Sequence, residues 1–144
     1  MSNNNIASCL CGGVKIEIKE LNHQFTVCHC LTCRKWGGGP FFAVACGADV
    51  KFEGGENIKE FESSAWANRG FCQQCGTHLY YTMKESQSYN VPLGLFPQGL
   101  FPTGEDWLMS MQYFSDERPS YYCFSNQTKE LTGAEIKAYF ASQV

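Results

Sequence analysis

The chain has 144 residues, of which 44% are hydrophobic, 17% charged and nine cysteine, with a formal net charge of −3. That length suits one domain spanning residues 1–144 and can bury a real core. The balance excludes a disordered, charge-rich chain and argues against a protein that holds long nucleic acid through its phosphates.

The opening segment, Met1 to Gly13, has neither a basic start nor an apolar stretch, so no signal peptide is expected. Val14, Ile16 and Ile18 alternate with Lys15, Glu17 and Lys19, the pattern of a half-buried strand. Gln24 to Cys30 reads as a second strand, which runs into a loop marked by Gly37, Gly38 and Gly39. Phe41 to Cys46 is an apolar run of strand length. A turn around Gly47, Ala48 and Asp49 predicts a hairpin with Val50 to Glu53. Ile58 to Phe61, Trp66 to Phe71 and His78 to Met83 are further strands.

Val91 to Gly104 is rich in proline and glycine and reads as an irregular surface loop, a kind that is uncommon and often functional. It lies in the longest uncharged run, from Glu85 to Glu105, but its prolines rule out a membrane span. Leu108 to Phe114 reads as a strand more than as a short helix. Thr132-Gly133-Ala134-Glu135 has the capping-box pattern, with Ile136, Tyr139 and Phe140 on one face of a short amphipathic helix. Many short strands and one C-terminal helix predict a mainly β fold.

Nine cysteines are an odd number, in a chain longer than the small secreted domains that depend on disulfides. A reducing, cytoplasmic compartment is therefore expected, with thiols free or bound to metal. Seven of them fall in three groups: Cys9-Leu10-Cys11, Cys28-His29-Cys30-Leu31-Thr32-Cys33, and Cys72-Gln73-Gln74-Cys75. On an extended segment Cys9 and Cys11 face the same way. Cys72 and Cys75 form a tight C-x-x-C turn followed by Gly76. Cys9, Cys11, Cys72 and Cys75 together make a closed four-thiolate zinc site that staples the N-terminal strand to the middle of the chain.

Cys28, Cys30 and Cys33 leave a fourth position open, which a water or a substrate atom could fill. A zinc there would deprotonate an incoming thiol. Such a site carries net negative charge, and Arg34 and Lys35 follow at once. Two other readings stand beside this one. A second structural zinc could be completed by His29, His78 or another cysteine, although His29 on an extended segment points away from Cys28 and Cys30. Alternatively, Cys30 and Cys33 could form a redox dithiol, although the usual helix of a βαβ unit is missing.

Arg34 and Lys35 read as contacts for substrate carboxylates, as charge balance, or as a solvated loop face. Trp36 and Phe41 could cover a ligand or pack in the core. Cys46 and Cys123 read as small buried hydrophobes. His23 reads as a surface loop residue and His78 as a strand histidine with a local hydrogen bond. Tyr80-Tyr81 and Tyr121-Tyr122 read as packing more than as a binding surface. Asp49, Glu53, Glu56 and Glu60 read as solvated faces.

In order and separation, three segments resemble the family of the glutathione-dependent formaldehyde-activating enzyme, also called Gfa-like or centromere-protein-V-like. They are Cys9-Leu10-Cys11-Gly12-Gly13-Val14, Cys28-His29-Cys30-Leu31-Thr32-Cys33-Arg34-Lys35 and Arg69-Gly70-Phe71-Cys72-Gln73-Gln74-Cys75-Gly76-Thr77, with Ser63-Ser64 shortly before the last. The resemblance covers about residues 6 to 83. It implies a mainly β, Mss4-like (β-tent), zinc-stapled domain with one structural zinc on Cys9, Cys11, Cys72 and Cys75. It also implies a second, labile zinc on Cys28, Cys30 and Cys33 near a glutathione site. The implied activity is S-hydroxymethylglutathione formation from glutathione and formaldehyde, a carbon–sulfur lyase reaction in reverse; the acidic charge and the proline-broken apolar run point to no nucleic acid or membrane partner. The competing class is a non-enzymatic zinc module that binds a protein.

Overall fold

The computed structural model of the chain describes residues 5–97 and 107–142. In chain order its elements are β1 (Ile6–Ser8), β2 (Lys15–Ile18), β3 (Gln24–Cys28), α1 (Leu31–Gly37), β4 (Phe41–Gly47), β5 (Val50–Glu53), β6 (Ile58–Ser64), β7 (Ala67–Cys72), β8 (His78–Met83), β9 (Tyr89–Pro92), β10 (Leu108–Tyr113), β11 (Lys129–Leu131) and α2 (Gly133–Ser142). The fold is mainly β with a short C-terminal helix, as the strand and turn pattern predicts. Two compact units divide the chain. One holds Met1–His23 and Val44–Asp106; the other holds Gln24–Ala43 and Trp107–Val144.

In the first unit β2 lies between β1 and β5, antiparallel to both. Val14, Ile16 and Ile18 are fully buried; each such aliphatic side chain contributes about 1.5–3 kcal/mol. The predicted hairpin of Val50 to Glu53 with Phe41 to Cys46 does not form. β5 pairs with β2 instead, setting Phe52 opposite Ile16 and Val50 opposite Ile18. Side chains directly opposite share a face, so Val50 and Phe52 extend the apolar face of β2. The turn directs this. Lys19 N–H donates to the Asp49 carbonyl (3.4 Å), tying the turn to the end of β2.

β6, β7, β8 and β9 form an antiparallel series in the same unit. Tyr80 on β8 packs edge-on to Tyr89 (4.9 Å) and against Phe52 (5.8 Å). Its hydroxyl donates to Glu60 (2.6 Å), so this carboxylate does more than solvate a face. The expected surface loop after Val91 is also revised at its start. Val91 is fully buried on β9 and Phe96 is 2% exposed. Both are large apolar residues whose burial outweighs the local turn signals. Leu93–Leu95 form a short 3-10 turn between them, and residues 98–104 of that stretch lie outside the described residues.

In the second unit β3 runs antiparallel to β4 and parallel to β10, and β10 runs parallel to β11. The expected glycine-marked loop after Cys30 is a helix. Cys30 takes the N-cap position, its sulfur accepting the Cys33 N–H (3.3 Å). Gly38 closes the other end in the left-handed conformation, its N–H donating to the Arg34 carbonyl (2.7 Å). The glycines therefore terminate a helix. α2 opens with the predicted capping box. Thr132 Oγ1 accepts the Glu135 N–H (3.2 Å), and Glu135 Oε1 accepts the Thr132 N–H (3.0 Å). Ile136 is buried, whereas Tyr139 and Phe140 are largely exposed, although Phe140 meets the Tyr113 ring edge-on (6.1 Å). Thr132→Ala is expected to cost about 1 kcal/mol, read as a lower urea midpoint with unchanged slope. Among the described residues no helix is long and apolar enough to cross a membrane.

Candidate metal centres and ligand cleft

The first unit brings Cys9, Cys11, Cys72 and Cys75 together, with all four sulfurs within 4.8 Å of one another. Cys9 and Cys11 lie 3.6 Å apart, and Cys11 and Cys72 lie 3.8 Å apart. A tetrahedron of Zn–S bonds of about 2.3 Å has edges of about 3.8 Å, so the donor set fits zinc. Both ligand turns owe their shape to glycine: Gly12 has φ +77° and Gly76 has φ +82°. Backbone N–H groups then face the sulfurs, from Val14 to Cys9 (3.3 Å) and from Gly13 to Cys11 (3.4 Å). Such donors offset the charge of a thiolate cluster.

Thr77 joins the two turns. Its hydroxyl oxygen accepts the Leu10 N–H (3.1 Å), leaving its hydrogen for the Cys75 sulfur (3.1 Å). Hydrogen bonds from Thr77 hold the Cys75 thiol down to about 5. Asn57 braces the same structure. Its Nδ2 donates to the Gly13 carbonyl (3.1 Å), and its Oδ1 accepts from Gln74 Nε2 (2.9 Å). Gly54 lies so close that a Cβ there would sit 1.8 Å from the Gly13 carbonyl oxygen. Gly54 also has φ +77°. Gly54→Ala is therefore expected to destabilise the protein by about 3 kcal/mol, measured as a fall in the denaturant midpoint.

The second unit brings Cys28, Cys30 and Cys33 together, again with the sulfurs within 4.8 Å of one another. β3 ends on Cys28, Cys30 caps α1, and Cys33 lies in the first turn. Cys33 is buried, and Cys28 and Cys30 are half-buried. The sulfurs of Cys30 and Cys33, then burial, push the Cys28 thiol far up. Crowded sulfurs resist losing protons until a cation joins them, which is the chemistry of a metal site. Among the described residues these are the two groups of at least three metal-donor side chains.

His29 does not complete the second group. It is fully buried, with Nδ1 on the Tyr122 hydroxyl (2.7 Å) and Nε2 on Gln112 Oε1 (2.8 Å). Burial lowers its pKa, against the opposing effect of Gln112. His78 belongs to β8 of the first unit, where burial and then the Arg69 charge lower its pKa. Cys30 and Cys33 do open a helix, contrary to the expected loop, but β3 and β4 on either side of it are antiparallel and no βαβ unit is formed.

Beside α1 lies an open cleft of about 550 Å³. Leu31, Arg34 and Lys35 supply one wall, Gly38, Gly39 and Pro40 another, and Tyr121 and Tyr122 a third. Arg34 and Lys35 thus share a helix with Cys33 and line the cleft as well. Trp36 and Phe41 meet edge-on (5.7 Å, 86°), a packing contact. Cys46 is buried and donates to the Val44 carbonyl (3.3 Å); burial pushes its thiol up to about 12, leaving it unreactive. Cys123, expected in the core, is exposed. Tyr121 and Cys123 are exposed while Tyr122 and Phe124 are half-buried, and the irregular segment that carries them leaves the cysteine on the wet side. Sequence reasoning missed Thr77, Gln112 and Arg118. Only the Thr beside Cys75-Gly76 carried a local signal.

A family model described as glutathione-dependent formaldehyde-activating enzyme matches residues 4–116. The match runs beyond Met83, where the motifs end, and takes in β10. A protein of Schizosaccharomyces pombe named as an uncharacterized lyase is 32% identical over 130 residues, covering 90% of this chain and 91% of the relative. A crystal structure of a Rhodobacter sphaeroides protein, a structural genomics target, aligns with a TM-score of 0.55 and 26% identity over 67% of this chain and 91% of its own.

Proposed function

Because the chain belongs to the glutathione-dependent formaldehyde-activating enzyme family, we propose that it is a carbon–sulfur lyase acting on the adduct of glutathione, or a similar small thiol, with formaldehyde or another aldehyde. The observation that carries this reading is the three-sulfur group of Cys28, Cys30 and Cys33 at the base of a helix whose Arg34 and Lys35 line a cleft.

Cys9, Cys11, Cys72 and Cys75 would hold one zinc, and Cys28, Cys30 and Cys33 a second. When bound, the second zinc supplies a Lewis acid that favours a thiolate over a thiol. The chain's own residues do the rest. Arg34 and Lys35 attract the carboxylates of a peptide thiol and offset the negative charge of the sulfur group. Tyr121, Tyr122 and Pro40 cover the apolar part of the ligand. In the synthetic direction the thiol loses its proton and its sulfur bonds to the aldehyde carbon. The carbonyl electron pair moves to oxygen, which takes a proton to give the hydroxymethyl thioether. The lyase direction reverses each step. In a variant of this scheme no second zinc is needed, and one of Cys28, Cys30 and Cys33 would handle the thiol.

The test is NMR of glutathione and ¹³C-formaldehyde with catalytic amounts of zinc-loaded protein, under conditions where the two exchange slowly. Faster exchange between free formaldehyde and its adduct supports the reading. Exchange no faster than in buffer overturns it.

A further inference from the structure

His29 stands between two of the clustered cysteines, fully buried, yet takes no part in the sulfur group. Its surroundings assign its proton. Arg118 Nη1 donates to Gln112 Oε1 (2.9 Å), and Gln112 Nε2 donates to Thr128 Oγ1 (3.1 Å), which orients the amide. Gln112 Oε1 can only accept, so the hydrogen on the imidazole sits at Nε2 (2.8 Å). Nδ1 is then an acceptor, and the Tyr122 hydroxyl donates to it (2.7 Å). The backbone carbonyl of His29 also accepts from Arg34 Nε (2.9 Å).

Tyr122 and Arg34 are both walls of the cleft. One buried histidine therefore pins an aromatic wall through its ring and a cationic wall through its carbonyl. Its two chain neighbours carry two of the three sulfurs. The elements it joins are distant in sequence: Gln112 is on β10, and Arg118 continues to Glu130 on β11 (3.1 Å). The imidazole and the Gln112 side chain at its centre are buried, so removing a partner there leaves a buried donor or acceptor unpaired.

We propose that His29 is a positioning residue. It holds Tyr122 and Arg34 as the grip for the peptide part of a thiol-bearing peptide, and keeps that grip in register with Cys28 and Cys30. The inference rests on the glutathione reading above. It makes the imidazole a link between two binding elements and gives it no direct contact with substrate. It also assigns Tyr122 to ligand binding, where sequence alone treats it as packing.

The experiment is calorimetric titration of the zinc-loaded, full-length protein with glutathione. Wild type, Tyr122→Phe, His29→Gln and the double variant are compared. Tyr122→Phe removes one hydroxyl and keeps the ring. His29→Gln keeps a donor for Gln112 and loses the acceptor for Tyr122. Tyr122→Phe is expected to weaken binding about tenfold with unchanged zinc content. His29→Gln is expected to weaken it at least as much, and the double variant to bind no worse than His29→Gln. A purely structural role would not produce that non-additivity in ligand affinity. Wild-type affinity in Tyr122→Phe, or losses that multiply in the double variant, would overturn the proposal alone. No binding by wild type would overturn the glutathione reading and this proposal with it.

Discussion

Cys72→Ser is expected to destabilise the protein by about 5 kcal/mol and to abolish metal binding at the four-cysteine site. Structural zinc contributes about 10–16 kcal/mol of apparent binding free energy in small zinc domains, and much of that is folding free energy. Here the four sulfurs join the segment after β1 to the turn between β7 and β8, more than sixty residues along the chain. Cys72 is fully buried, so a serine there is a poor ligand and a buried hydroxyl at once. Thermal unfolding followed by circular dichroism is expected to show a fall of roughly 15 °C. Metal analysis is expected to show one zinc fewer. Cys123→Ser, at an exposed position, serves as the control and is expected to change neither. A melting point within 2 °C of wild type, at about that precision, would remove the staple from the account.

Cys30→Ser is expected to do the opposite: to spare the fold and stop the chemistry. Cys30 is half-buried and caps α1 through its sulfur. Serine is among the best N-cap residues, so the helix keeps its start. The melting point is therefore expected to stay within about 3 °C. What is lost is one of three clustered sulfurs. Adduct exchange between glutathione and formaldehyde is expected to fall by about a hundredfold or more, as befits loss of a group that acts at the reacting atoms. The ¹³C exchange measurement reads this directly. Unchanged exchange with a normal melting point would place the reaction elsewhere on the protein.

The two expectations differ because the clusters differ in setting. Cys9, Cys11, Cys72 and Cys75 sit on turns braced by Thr77, Asn57, Gln74 and backbone N–H groups. Cys30 and Cys33 open α1, whose Arg34 and Lys35 put two cations in the wall of a cleft. Bracing suits a closed metal site. An open face suits exchange of ligands.

Much of the site was legible before any coordinates. Cys9-x-Cys11, Cys72-x-x-Cys75 and Cys28-x-Cys30-x-x-Cys33 place donors at separations that backbone geometry converts into shared direction. Val14, Ile16 and Ile18 announced a buried face by alternation, and Thr132 with Glu135 announced a helix start. Each of these signals spans a few residues, so the covalent chain carries it whole. Local signals failed where the deciding contact has no signature of its own in the nearby sequence. Gly37, Gly38 and Gly39 predict a loop, because a sulfur N-cap at Cys30 has no familiar sequence signature. The turn at Gly47 predicted a hairpin, because nothing nearby reveals that Val50 and Phe52 match the face of β2.

Other features were illegible in principle. His29 bonds to residues 83 and 93 positions away. Neither Gln112 nor Tyr122 has a composition or spacing that points back to it. Cys123 sits among aromatics and reads as core, yet its exposure depends on which way an irregular segment turns. The chain by itself therefore determined the donor sets, the mainly β character and the family. Tertiary structure alone decided which strands pair, which cysteine is wet, and which side chains orient the cleft. The physical reason is range. Ligand spacing and capping are settled by bond geometry over one or two turns. Strand partners and buried hydrogen bonds are settled by matching surfaces that meet only after the chain has folded.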